Sequence, residues 1–333
     1  MHWLFDMKTR LTFLAIVSLS VQLGLAPAFT EDKPTEKAVR KITHGQVIVP
    51  FERMRRIWGE LLTVDLETRK GTFRAEHNDE VFHFTAMPYA EMLHHATFGD
   101  LGDFRIGERA IFRMHENEAG EWVWLTYIQD EMNMLNGHGE YYFVESIDAG
   151  SRSFGFTWAK GDKTFVRETG LTLQTDKDTQ FWKKGRLAKF EDIKVGDKLR
   201  AKTRGTGKGR GRIAWHVFLD DESLLKFQAE QMEAHAKKMA TDGLPGYVDA
   251  LTDETLELTL FQEAKVVAEG LKPGQKIHVA PAEVSRKANG KPISGQVISC
   301  ERTGKIYKLK LTTNDRPEGL QITGLARVWV DGE

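Results

Sequence analysis

The chain has 333 residues, 41% hydrophobic and 29% charged, with a formal net charge of -1. That content excludes a disordered chain, and the near balance of charge predicts no partner held by whole-molecule electrostatics. A lone cysteine, Cys300, excludes an intramolecular disulfide, so apolar cores must hold the structure together.

Taken in chain order, Lys8 and Arg10 precede an apolar run from Leu11 to Leu25, and Ala26-Pro27-Ala28 follows before Phe29. This is the layout of a secretory signal peptide over residues 1–28, with a retained anchor helix as the alternative. The expectation is an exported protein, periplasmic or secreted, whose mature chain begins at Phe29 in N-terminal mass analysis. Intact Met1 or Met7 ends in a membrane fraction would overturn it. Residues 29–46 read as a flexible, polar lead-in.

Three modules follow: 47–136, 137–221 and 246–333, with a linker helix at 222–245. Each carries one copy of a short phrase. The copies are Asp103-Phe-Arg-Ile-Gly107-Glu-Arg109, Asp192-Ile-Lys-Val-Gly196-Asp-Lys198 and a looser Gly270-Leu-Lys-Pro-Gly274-Gln-Lys276. Each copy leads into a strand-like stretch. The phrase reads as a turn whose glycine takes positive φ at low cost. Modules one and two also align at their closing strands. Trp124-Leu-Thr-Tyr-Ile-Gln-Asp130-Glu131 matches Trp215-His-Val-Phe-Leu-Asp-Asp221-Glu222.

Strands are read from two-residue alternation. Leu256, Leu258 and Leu260 interleave with polar residues, as do Tyr307, Leu309 and Leu311. One helix is expected from about Glu222 to Thr241, with Leu225, Gln228, Met232, His235 and Met239 on one face. Asp220 or Asp221 would cap it, and Gly243 with Pro245 would end it. A second short helix is expected over Tyr89–His95. The fold class is mainly β: three tandem small barrels with one inter-module helix.

The phrase Phe190-Glu-Asp-Ile-Lys-Val-Gly-Asp-Lys-Leu199, followed by a hairpin and a closing strand, resembles small exported bacterial β-barrel repeats found in families of unknown function. It is similar, less closely, to periplasmic copper-chaperone domains with an oligonucleotide/oligosaccharide-binding (OB)-like barrel. The motif is a turn, so the resemblance implies OB-like barrels rather than an activity.

Three chemistries compete. The first is a polyanion surface. Residues 183–212 hold twelve Lys or Arg against Glu191, Asp192 and Asp197, a local +9. Lys198, Arg200, Lys202 and Arg204 alternate along a strand, Lys208, Arg210 and Arg212 extend it over a hairpin tip, and Trp182 lies nearby. Basic side chains beside an aromatic suit an acidic polysaccharide, an anionic lipid or another envelope protein. The ordinary alternative is a solvated hairpin.

The second is a soft-metal site. Met232, His235 and Met239 share a helical face, and other Met and His cluster at Met92, His94 and His95 and around Met114, His115, Met132 and Met134. Thioether with imidazole suits copper, and the copper chaperones that the barrel resembles use His, Met and a nearby Trp. Helical Met is more often core. The third is acid–base chemistry at Glu60, Asp130-Glu131 or Asp220-Asp221-Glu222 with a His94-His95 base, which no catalytic motif supports. The resulting expectation is a non-enzymatic envelope binding protein without a cofactor, taking a polyanion through module two. A copper-binding periplasmic protein is the alternative.

Overall fold

The computed structural model describes residues 54–207, 211–313 and 318–331; the segments expected as signal peptide and lead-in, with Lys208 and Arg210, lie outside the described residues. In the first barrel the strands are β1 (Met54–Asp65), β2 (Lys70–Ala75), β3 (Val81–His94), β4 (Thr97–Phe98), β5 (Arg109–Glu116) and β6 (Trp122–Asp130). They close in the order β1-β2-β3-β6-β5 back to β1, and β3 pairs parallel with β6. Helix α1 (Glu131–Gly137) leads to the second barrel.

That barrel contains β7 (Glu140–Asp148), β8 (Ser153–Lys160), β9 (Phe165–Gln174), the side hairpin β10 (Gln180–Lys183) and β11 (Arg186–Ala188), then β12 (Lys198–Gly205) and β13 (Arg212–Phe218). It closes as β7-β8-β9-β13-β12, again with one parallel pair, β9 with β13. Five strands closed with a single parallel seam are the OB-like arrangement expected from the sequence.

The repeated phrase is a clamp on a β-bulge. Its glycines all have positive φ: 88° at Gly107, 94° at Gly196 and 83° at Gly274. Each glycine N–H donates to the carbonyl of a buried strand residue, Leu61, Val144 or Val297, at 2.7, 2.9 and 2.8 Å. The N–H of that strand residue donates back to the residue after the glycine: Glu108, Asp197 or Gln275, at 2.9, 2.9 and 3.0 Å. Strand register slips just beyond each anchor, at Leu61/Thr63, Val144/Ser146 and Val297/Ser299. A bulge leaves backbone groups without a ladder partner, and the turn supplies one. Gly196 has open space where a Cβ would stand, so only its backbone angle resists substitution. Gly196→Val is therefore expected to destabilise the protein by about 1–3 kcal/mol. An unchanged denaturation midpoint would show that the turn is not constrained.

The third barrel contains β14 (Leu244–Leu251), β15 (Thr255–Leu260), the one-turn helix α3 (Lys265–Ala268), β16 (Lys276–Ala282), β17 (Ile293–Thr303), β18 (Ile306–Thr313) and β19 (Leu325–Val330). It closes with six antiparallel strands in the order β14-β15-β18-β17-β16-β19. Leu256, Leu258 and Leu260 face Leu311, Leu309 and Tyr307 across one ladder, all buried, as their alternation predicts.

This barrel also holds a fourth clamp. Thr323 takes the left-handed position at φ 68°, its N–H donates to Val248 O at 2.8 Å, and Val248 N–H donates to Gly324 O at 3.0 Å. The register slips here too, at Val248/Ala250. The barrel is thus two βββ halves, β14–β16 and β17–β19, each clamping the first strand of the other.

Helix α2 (Asp221–Asp242) leads from the second barrel to the third, and Asp220 caps it by accepting Ser223 N–H at 2.9 Å. Its buried seam runs through Leu224, His235 and Met239, while Leu225 and Met232 are exposed. The sequence reading was therefore rotated by about one residue at its start. The helix bridges modules with polar groups as well as apolar ones. Gln231 and Lys238 reach the first barrel, where Lys238 donates to Asp100 at 2.9 Å. Buried Arg286 ties the third barrel to the first by pairing with Glu263 and donating to Pro88 O. The helix expected at Tyr89–His95 is instead the end of β3. Pairing of Glu91, Met92 and Leu93 with Tyr127, Ile128 and Gln129 closes the first barrel, and the slip between Ala86 and Glu91 accommodates Pro88.

Candidate anion-binding cleft

The expected basic face does not form among the described residues. Lys198 pairs with Asp162, Arg200 with Asp221, and Arg204 with Asp176. Lys202 is 2% exposed and Arg212 5%. Trp182 turns its indole N–H onto His216 Nδ1 at 3.2 Å. Carboxylates from distant segments thus pair with all four alternating cations of β12. The suggested metal trio is likewise not brought together. Met232 is 52% exposed, buried His235 lies 2.9 Å from Glu263 O through Nε2, and Met239 packs into the third core.

Basic and aromatic groups do converge elsewhere, between the first and second barrels. A cleft of about 380 Å³ there is lined by Arg55, Arg56 and Trp58 of β1, Arg109 of β5, Trp158 of β8, Arg167 of β9 and Arg212 of β13. Glu76, His77 and Glu168 complete its polar lining. Alternation along β1 and β8 sends the two tryptophans toward each other, edge to face at 6.0 Å. Arg109 stacks over Trp58 with its guanidinium carbon 3.8 Å from the ring centre.

The cations differ in how they are held. Arg109 keeps its charge despite burial because Glu131 and Glu76 accept from it. Arg167 forks onto Glu140 at 3.0 and 2.5 Å. Arg212 is the exception. Its Nη1 stands 3.9 Å from Glu131, and both Nε and Nη1 are buried without a hydrogen-bond acceptor. The Trp158 indole N–H, in the same cleft, also lacks an acceptor. Partial burial and the neighbouring Arg113 lower the pKa of Arg56, a sign of crowded positive charge. Buried donors without acceptors cost about 1–3 kcal/mol each, more when charged.

Lys202 belongs to a second, closed group. Gly107 of the first clamp accepts Gly205 N–H of β12 at 3.0 Å, which draws β12 against the first barrel. The Lys202 ammonium then lies 2.8 Å from Glu108, 3.8 Å from Asp130 and 3.1 Å from His95 Nε2, and it also contacts His94 Nε2. The two histidines come from the tight β3–β4 hairpin, whose two turn residues, His95 and Ala96, both have positive φ. Their rings stack at 4.1 Å. Burial and the Lys202 charge press the His95 pKa far down. Burial opposes ionisation of Glu108, but Lys202 and His94 hold it at about 2. The sequence named His94-His95 and Lys202 separately and offered no signal that they meet.

No family model matches the chain, and no curated protein matches it. Among solved structures it is similar to residues 10–88 of a CusF variant with Cu(II) from Escherichia coli, at 17% identity over 25% of this chain and 98% of that one, with a TM-score of 0.19. It is also similar to Drosophila Unr CSD456, at 10% identity over 80% of this chain and 98% of that one, with a TM-score of 0.19. At these scores neither carries an argument about a ligand. The barrel assignment rests on strand order.

Proposed function

We propose that the protein is a non-enzymatic binding protein that seats a polyanion in the cleft between the first and second barrels. The observation that supports this is Arg212, nine-tenths buried with two donor nitrogens lacking acceptors, beside the equally unpaired Trp158 indole. Guanidinium forks recognise carboxylate, sulfate or phosphate oxygens, and tryptophan faces stack on sugar rings or bases. An acidic polysaccharide fits this chemistry and the exported setting that the 1–28 segment suggests. The polyanion reading is kept, and its site moves from the face of β12 to the cleft.

Retention on a heparin column tests the proposal. Arg56→Glu combined with Arg212→Met is expected to elute at lower salt than the parent. The slope of log affinity against log salt should shrink by about 1–2 units, roughly one counterion per lost contact. Unchanged retention in that variant, with loss instead in Lys208→Glu/Arg210→Glu, would move the site to the hairpin tip.

A further inference from the structure

The chamber around Lys202 has the donor set of a metal site, and its atoms are disjoint from those of the anion cleft. His94 Nε2, His95 Nε2, Glu108 Oε1 and Asp130 Oδ2 surround one point, occupied by the Lys202 ammonium. The donor atoms of His94, His95 and Asp130 lie within 4.8 Å of one another. We propose that these four side chains bind one divalent transition ion of the zinc class, which takes the place of the Lys202 ammonium.

Three observations carry this. The first is the tautomer of His94. Gln231 Nε2 donates to Phe98 O at 3.2 Å and to Asp103 at 3.4 Å, which leaves its Oε1 facing His94 Nδ1 at 3.1 Å. An amide oxygen accepts, so Nδ1 carries the proton and Nε2 presents its lone pair to the centre. A histidine ligand is ordinarily oriented in this way by a partner on its other nitrogen.

The second is Glu108. Its side chain is fully buried, and Oε1 accepts no well-formed hydrogen bond although Lys202 is 2.8 Å away. That oxygen makes a charge contact and has a free lone pair directed at the centre.

The third is charge. Two buried carboxylates and two imidazoles surround the single Lys202 ammonium. A divalent ion held by two neutral imidazoles and two carboxylates in its place would be charge-balanced. Two nitrogen and two oxygen donors suit tetrahedral zinc, whose ligand atoms stand about 3.4 Å apart. The chamber must contract slightly on capture. His95 is only partly buried and offers the way in.

The test is titration of the full-length, chelator-treated protein with Co²⁺, followed by its visible d–d absorption, and then displacement by Zn²⁺. The expected result is one equivalent with the intense absorption of a tetrahedral nitrogen/oxygen site. His95→Ala should abolish that signal. Gln231→Leu, which frees the His94 tautomer, should weaken binding about 10- to 100-fold. Lys202→Met removes the competing cation and should bind more tightly. Its melting temperature should rise on adding Zn²⁺, because the ion re-pairs the two stranded carboxylates. Absence of stoichiometric uptake by the parent overturns the proposal. So does uptake that survives His95→Ala, which would place the ion at other histidines. Heparin retention should be indifferent to all three variants, so this result and the cleft stand or fall separately.

Discussion

Replacing Glu131 by alanine is expected to destabilise the protein by about 3–5 kcal/mol. Glu131 opens helix α1 and is fully buried. Its carboxylate accepts from Arg109 at 2.6 Å and from the Tyr142 and Thr203 hydroxyls, with Arg212 3.9 Å away. These partners come from β5, β7, β12 and β13, so one side chain joins the first barrel to the second. Its loss takes one of two carboxylates from the buried Arg109, which keeps Glu76, and strands two hydroxyls. The structurally equivalent residue after the next cap is Asp221, whose side chain is 74% exposed and pairs only with Arg200. Asp221→Ala should cost under about 1 kcal/mol. Urea denaturation of the two variants checks the contrast, and equal midpoints would refute the joint at Glu131.

Stability is expected to fall steadily as pH drops from about 6.5 to 4. Burial lowers His115 and His216 to about 4 each. His216 accepts the Trp182 indole N–H on Nδ1, and His115 Nε2 is buried without a partner. Neither site has a place for an added proton. The unfolded chain binds protons at ordinary histidine values, near 6.5. The folded state keeps its full advantage above that pH and loses it on the way down to about 4. Each histidine contributes a slope of about 1.4 kcal/mol per pH unit within that window. Asp100 acts later: burial opposes its ionisation, but Arg286, Arg69 and Lys238 hold it well below the usual carboxylate range. Its ion pairs are lost only in stronger acid. Thermal unfolding at pH 7, 5.5 and 4 reads the slope, and His216→Gln should remove one proton from it. A melting temperature flat across that range would show that these histidines titrate normally.

Local backbone demands were legible along the chain. The glycines at 107, 196 and 274 announced their positive φ because few other residues adopt it cheaply. Alternation at Leu256–Leu260 and Tyr307–Leu311 announced one wet and one dry face. The acidic pair after the second closing strand announced a helix cap, whereas no helix was expected after Asp130. The two pairs aligned one residue out of step, since Asp130 caps α1 whereas Asp220, not Asp221, caps α2.

What depended on distant segments was not legible. The fourth clamp is hidden because Thr323 occupies the left-handed position and glycine follows it, a strain that the closed barrel tolerates. Tyr89–His94 became strand because a parallel partner 36 residues later, such as Tyr127 opposite Glu91, was needed to close the first barrel. Lys202 and Arg212 belonged to one run of basic residues in sequence, yet tertiary packing sent one to Glu108 and the other beside Trp158. Coulomb pairing and burial are set by distance in space, and no spacing along the chain encodes them.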